Sequence, residues 1–235
     1  MNDKLARLEE ILRSHAPLLV AYSGGVDSAC LLAVAHRTLG DRVRGVIADS
    51  PSLPRAALRE ALSVAREFGA DVEVVATREF EDDRYLSNPP NRCYFCKAEL
   101  FARMDELARE RGYAAIAYGE NADDPAHLRP GSQAAAEFAV VAPLKLAGLT
   151  KADVRAVSRG LGLPTADAPA QPCLSSRIPH GTPVTREALT LVEQGEAVVR
   201  ALGFRVFRVR YLSGEPARAR VQIAPEEMPR LAALR

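Results

Sequence analysis

Apolar positions along the chain switch between helical and strand spacing in a regular order. Leu5, Leu8, Ile11 and Leu12 recur at helical spacing, and the run from 17 to 22 is apolar until it stops at a glycine pair, which predicts a helix and then a buried strand. Residues 29–39 are apolar on nearly every face and end at Gly40, so a second helix should pack deep against a sheet. The pattern then predicts a strand over 42–48, a helix over 53–68 closed by Gly69, a strand over 72–76, a helix over 94–111 and a strand over 114–118.

Strands that alternate with helices predict an α/β fold with a doubly wound parallel sheet, whose ligands sit beyond the carboxyl ends of the strands. Ser23, Asp49 and Gly119 all fall at such ends and should converge on one pocket. After a stretch at 140–144, Thr150 is placed to cap a further helix. The Pro-rich irregular segment 164–183 contains the expected domain junction, with a main domain over 1–178 and a small α+β unit over 179–235. In that unit the spacing predicts a helix over 186–202, strands over 205–211 and 217–223, and a last helix over 225–234; it is too small to be stable without its neighbour.

The hexapeptide Ser23-Gly24-Gly25-Val26-Asp27-Ser28 lies between the first strand and the helix after it. A strand that turns through two glycines into a helix N-terminus gathers backbone N–H groups around one point, a nest for anions. Both glycines are expected to allow positive φ and close approach of a ligand, with Ser23 and Ser28 adding hydroxyl donors. Asp27 is read as holding magnesium or the loop itself rather than touching phosphate. No Gly-Lys-Ser/Thr follows at the spacing of a Walker A motif, so the loop is of another kind.

Charge narrows the partners. With 31 Lys and Arg against 30 Asp and Glu there is no global field to gather nucleic acid, which disfavours an RNA partner. No apolar run approaches the roughly 20 residues that span a bilayer, and the charged, helical N-terminus lacks the apolar stretch of a signal peptide; a cytoplasmic protein is expected.

Four cysteines outside a secretory context read as thiols, ligands or nucleophiles. Cys93 and Cys96 form a CxxC pair at the start of a helix, where the helix N-terminus, Arg92 and Lys97 should lower their pKa values. Cys173 lies in Gln171-Pro172-Cys173-Leu174-Ser175-Ser176-Arg177, irregular backbone suited to an accessible nucleophile or ligand. Three thiolates would leave one iron of a four-iron cluster open to an exchangeable sulfide; zinc on the same thiolates, completed by His180, is the competing metal. Cys30, on the apolar second helix, reads as a small hydrophobe. Arg208 and Arg210 share one face of a strand and are spaced to grip a phosphate.

The phosphate loop resembles the PP-loop of the ATP pyrophosphatases, which cleave ATP between its α and β phosphates and leave an adenylated substrate. Together with Asp49-Ser50-Pro51-Ser52, the segment from Asn88 through Arg92-Cys93-Tyr94-Phe95-Cys96-Lys97, Gly119-Glu120-Asn121 and Pro172-Cys173-Leu174-Ser175-Ser176-Arg177, it is similar nearly end to end to the LarE family. That resemblance implies an ATP- and Mg2+-dependent sulfur transferase acting on pyridinium-3,5-biscarboxylic acid mononucleotide during nickel-pincer cofactor synthesis. It implies a [4Fe-4S] cluster on Cys93, Cys96 and Cys173, with a self-sacrificing Cys173 as the alternative. It also implies ATP contacts at Ser23, Gly24, Gly25, Asp27, Ser28, Asp49 and Gly119. Lys97 and Arg177 would steer the substrate; Arg208, Arg210 and Glu196 would form a phosphate or divalent-metal site at subunit contacts in a hexamer. The turn at 212–216 lacks the aspartate expected there. A tRNA thiolase, and a sensor that binds nucleotide without turnover, are the rival readings.

Overall fold

A computed structural model describes residues 2–125, 130–214 and 216–232. The elements in chain order are α1 (Asn2–Ser14), β1 (Leu18–Ala21), α2 (Val26–Leu39), β2 (Val43–Asp49), α3 (Arg55–Glu67), β3 (Val72–Ala76), α4 (Asp83–Leu86), α5 (Arg92–Arg111), β4 (Ala115–Tyr118), α6 (Pro130–Glu137), α7 (Pro143–Leu146), α8 (Lys151–Gly160), α9 (Arg186–Ala201), β5 (Phe207–Leu212), β6 (Arg218–Ile223) and α10 (Met228–Ala232).

The main sheet is parallel in the order β3-β2-β1-β4. Its direction of winding reverses between β1 and β4, so the crevice for a ligand opens at their carboxyl ends. A parallel bridge between Ala117 and Val141 lengthens the sheet on the β4 side.

The apolar character of α2 follows from its place. Leu31, Leu32 and Val34 are all fully buried, as the helix is enclosed by α1, α8 and the sheet. Each such side chain contributes about 1.5–3 kcal/mol by leaving water. Cys30 sits in this core, where burial pushes its thiol up to about 11, as expected of a small hydrophobe. On the other face of the sheet, Phe101, Met104 and Tyr118 pack α5 against β4. The predicted strand and helix positions agree with these elements to within a few residues. The missed elements are short: α4, α6 and α7 have four, eight and four residues, too few to show a helical period.

The C-terminal unit is a helix on a two-stranded antiparallel hairpin, with Val209 of β5 buried against Val199 of α9. The division expected at 178 runs through a shared core: Leu174 and Ile178 before it pack with Tyr85, Val184, Leu189 and Val192. Hydrogen bonds cross the same line, from Asn88 Nδ2 to the carbonyls of Pro179 (2.8 Å) and Thr182 (2.9 Å). Glu215 and the end of the predicted last helix lie outside the described residues. Among the described residues no helix is long and apolar enough to cross a membrane.

Candidate active site

The phosphate loop leaves β1 at the sheet's point of reversal. Gly24 has φ +76°, and a Cβ on it would stand 2.6 Å from the Cβ of Ala61, so both backbone freedom and close packing require glycine. Gly25 does not use positive φ as expected. It is extended (φ −74°, ψ 161°) and serves as N-cap of α2 with no side-chain capping bond, which leaves the first N–H groups of that helix open to an anion. Ser28 Oγ accepts from the Ser23 N–H (3.1 Å), lies 3.1 Å from Ser23 Oγ and donates to the Gly25 carbonyl (3.1 Å). The two hydroxyls therefore fix the shape of the loop.

Gly119, just past β4, presses on the start of α2 from the other side: a Cβ there would lie 2.8 Å from the Ser28 nitrogen. Asp27 receives Lys151 Nζ at 2.6 Å and Asn121 Nδ2 at 3.2 Å, so its carboxylate ties the phosphate loop to the chain after β4 and to α8. No local sequence signal marks Lys151, whereas Asn121 stands in the Gly-Glu-Asn segment that carries part of the family resemblance. Glu120 beside it is buried and accepts from Tyr118, from Ser132 (2.9 Å) and from Lys145 (3.2 Å). Burial raises its pKa, but these three donors outweigh burial and hold the carboxyl below its ordinary value. Lys97 lies over the rings of Tyr118 (4.7 Å) and Phe101 (5.7 Å). Asp49, at the end of β2, pairs with Arg55, whose guanidinium also holds the Ser50 and Leu53 carbonyls at 2.6 and 2.7 Å.

The Cys173 segment is joined to that same strand end. Leu174 donates its N–H to the Ser52 carbonyl (2.9 Å), and the hydroxyls of Ser52, Ser175 and Tyr85 form a buried ring with sides of 2.5, 2.7 and 2.8 Å. Arg92, buried, donates to the Ser175 carbonyl at 2.9 Å and so binds the first turn of α5, with its CxxC pair, to the Cys173 segment. Cys93 is exposed; Cys96 and Cys173 are half-buried.

Burial pushes Cys96 up, and Glu79, Cys173 and Cys93 add to the rise against a weaker pull from Lys97. Burial also raises Cys173, opposed by Arg92 and Arg177. The lowered value expected of the Cys96 thiol is therefore not found, because burial and Glu79 outweigh the neighbouring cations. Glu79 itself is buried, and among the described residues neither of its carboxylate oxygens has a hydrogen-bond partner. Among the described residues no three His, Cys, Asp or Glu side chains are drawn closely enough to hold a metal ion. In kind, the donor set is three soft thiols, two on the first turn of α5, which Arg92 joins to the Cys173 segment; soft thiolate sulfur is the donor type that iron–sulfur groups take.

Arg177 and Glu196, expected to meet substrate and metal, meet each other. They form a buried ion pair at 2.7 Å, 5% and 6% exposed, and Arg177 also donates to the carbonyls of Pro172 and Cys173 and to Ser176 Oγ. Glu196 accepts from the Val209 N–H as well (3.3 Å). A carboxylate so satisfied is a scaffold group, and Arg177 orients the backbone of Cys173. Arg208 and Arg210 do share a face of β5; Arg210 reaches the Ser176 carbonyl at 2.6 Å, beside the Cys173 segment.

No protein-family model matches the chain. It is 41% identical over 97% of its length to the uncharacterized protein slr1717 of Synechocystis, covering 84% of that protein. It is 34% identical over 90% of its length to the pyridinium-3,5-bisthiocarboxylic acid mononucleotide synthase of Lactiplantibacillus plantarum, covering 77% of that enzyme. A GMP synthase of Thermomicrobium roseum is 29% identical over 78% of the chain, which spans 39% of that longer protein. The glycine loop at the sheet's point of reversal and these relatives agree: the fold is of the PP-loop type, and the chain belongs to the family of the pyridinium-3,5-bisthiocarboxylic acid mononucleotide synthase.

Proposed function

We propose that the chain is an ATP-dependent sulfur transferase that activates the ring carboxylates of pyridinium-3,5-biscarboxylic acid mononucleotide and converts them to thiocarboxylates for a nickel-pincer cofactor. The observation that carries this reading is the bond from Leu174 to Ser52, with the Ser52–Ser175 hydroxyl contact. It places the Cys173 segment at the carboxyl end of β2, next to the strand that delivers the phosphate loop.

In the first half-reaction a substrate carboxylate oxygen attacks the α-phosphorus of ATP, an acyl adenylate forms and pyrophosphate leaves. The open N–H groups of α2 and the Gly24 turn bind the phosphates, and Mg2+ enters with ATP. Asp27, held by Lys151 and Asn121, keeps the loop in register with the chain after β4. A carboxylate is a poor electrophile, and its adenylate carries AMP as a good leaving group. In the second half-reaction a sulfur nucleophile attacks the acyl carbon and expels AMP. Cys93, Cys96 and Cys173 would hold a [4Fe-4S] cluster, which when bound supplies an exchangeable sulfide for that attack. Arg177 fixes the Cys173 carbonyl, and Arg92 fixes the two cysteine segments to each other. Residues 179–235 are the proposed seat of subunit contacts in a hexamer, and the cytoplasm is the proposed compartment.

Anaerobic preparation with iron and sulfide tests the reading. Brown protein with about four irons per chain, which loses its colour in Cys93→Ala and Cys173→Ala and releases pyrophosphate with ATP and the biscarboxylate nucleotide, is the expected result. Colourless protein in which Cys173 alone loses its sulfur would replace the cluster by the self-sacrificing route. No pyrophosphate from either form would refute the transferase.

A further inference from the structure

Glu79 begins a one-turn helix, Glu79–Glu81, shortly after β3 ends at Ala76, and so lies at the same end of the sheet as the phosphate loop. The residues on either side of it are held. The Arg78 N–H donates to Glu99 Oε1 on α5 at 2.9 Å, and the Phe80 ring packs on Tyr85, with centroids 5.5 Å apart, and under the guanidinium of Arg186 at 5.2 Å. Glu79 between them is buried, yet among the described residues both of its carboxylate oxygens lack a hydrogen-bond partner.

The cysteine segments border the same core. Phe80 and Cys96 pack against one apolar cluster that contains Tyr85 and Leu174, the residue after Cys173. The charge of Glu79 is felt at Cys96, whose thiol it helps to raise. The arginines beside these cysteines are engaged elsewhere, Arg92 with Asn88 and the Ser175 carbonyl and Arg177 with Glu196. A buried carboxylate is stabilised by hydrogen-bond donors, by an opposite charge or by a metal ion. With no donor to either oxygen and the neighbouring arginines taken, the carboxylate is suited to a metal brought in from outside the chain.

We propose that Glu79 is a ligand residue for the iron–sulfur group: its carboxylate binds the iron that Cys93, Cys96 and Cys173 leave without a thiolate, and gives way there to hydrosulfide. The inference rests on the cluster form of the transferase reading. Carboxylate oxygen is a harder donor than sulfur, so it holds such an iron while sulfide is absent and is displaced when sulfide arrives. In the exchange an Fe–O bond breaks and an Fe–S bond forms; the carboxylate leaves as an anion, hydrosulfide keeps its proton and no electron moves. Cluster irons take their protein ligands one each, so these donors need not crowd round a single point, and among the described residues no three do. A carboxylate that burdens the empty fold is then kept for its part in the loaded site.

The test is spectroscopic and needs no turnover. Anaerobic protein is loaded with a Mössbauer-active iron isotope and sulfide, then freed of excess sulfide. In the parent one iron should be distinct from the rest, and added hydrosulfide should change its signal. Glu79→Gln should alter that signal before hydrosulfide is added but not after. Under mild oxidation it should also lose that iron at least about tenfold faster, leaving a three-iron form read by electron paramagnetic resonance. Glu79→Cys should retain the iron and no longer respond to hydrosulfide. The two variants move iron retention in opposite directions, which a general loosening of the fold would not do. Spectra and iron loss in Glu79→Gln that match the loaded parent would overturn the proposal and leave the cluster standing. A parent that takes up no cluster would refute the cluster and this ligand together, with adenylation still judged by pyrophosphate release.

Discussion

Lys151 Nζ lies 2.6 Å from Asp27 Oδ2, so the acid of the phosphate loop is tied across the crevice to the first residue of α8. The pair is partly exposed, and such pairs contribute at most about 1 kcal/mol to folding. Its weight lies in holding the loop. Asp27→Ala should cost little stability but lower the rate of pyrophosphate release about 100-fold, by displacing the phosphates from their donors. Thermal melts beside pyrophosphate assays check both halves; a large loss of stability with normal turnover would contradict the assignment.

Gly119→Ala should damage ATP binding by crowding the first turn of α2. The new methyl would lie 2.8 Å from the Ser28 nitrogen and 2.9 Å from the Asp27 carbonyl carbon, both backbone atoms that cannot turn aside. The start of α2 must shift, so ATP affinity should fall at least about tenfold with the sheet intact. Nucleotide titration monitored with far-UV circular dichroism reads both effects.

Asp153 gives a pH signature. The Lys4 ammonium, then the backbone and hydroxyl of Thr150, hold its carboxyl at about 2. It completes the capping box at the start of α8, and Asp153→Asn should cost about 1 kcal/mol at neutral pH. Since the folded pKa lies below the unfolded one, that contribution is full above about pH 4 and is lost as pH falls through about 2. Urea melts of the two proteins should converge at the acid end; a constant gap down to pH 2 would show that the carboxylate charge is not responsible.

Glu79→Gln should stabilise the chain. Glu79 is 2% exposed, and among the described residues neither of its oxygens has a hydrogen-bond partner. An amide carries no formal charge into the interior but brings N–H donors that find no partner there, so the net gain should be at most about 1 kcal/mol. It also withdraws a charge that raises Cys96, so alkylation of that thiol at fixed pH should quicken. Clear destabilisation of the variant would show that the carboxylate does not burden the fold.

Much of this was legible in the residues. The hexapeptide 23–28 marked the turn from β1 into α2 because serines and an acid surround its two glycines where a buried strand meets a helix, a set that a bare glycine pair does not supply, and Thr150 announced α8 through its capping chemistry. Pairing across long separations was not legible. Arg177 and Glu196 each read as a ligand-binding charge in isolation, and only the packing of α9 against the 174–177 turn brings them to 2.7 Å. Lys145 and Lys151 gave no local signal, because their roles depend on where α7 and α8 meet the end of β4. The raised Cys96 value was hidden likewise: adjacent Arg92 and Lys97 are visible in sequence, whereas Glu79 and burial are properties of the fold.

Glu196→Ala should destabilise the fold more than Asp27→Ala or Asp153→Asn, at about 3–5 kcal/mol, since it strands a buried guanidinium. Chemical denaturation measures it, and a loss under about 1 kcal/mol would mean that Arg177 finds water. The same guanidinium grips the carbonyls on either side of the Cys173 α-carbon while its carboxylate partner rides on α9. The backbone of Cys173 is thus tethered on one side through α9 and on the other through the chain after β2. A rotation of α9 would therefore be passed, through one rigid planar group, to the backbone on both sides of Cys173.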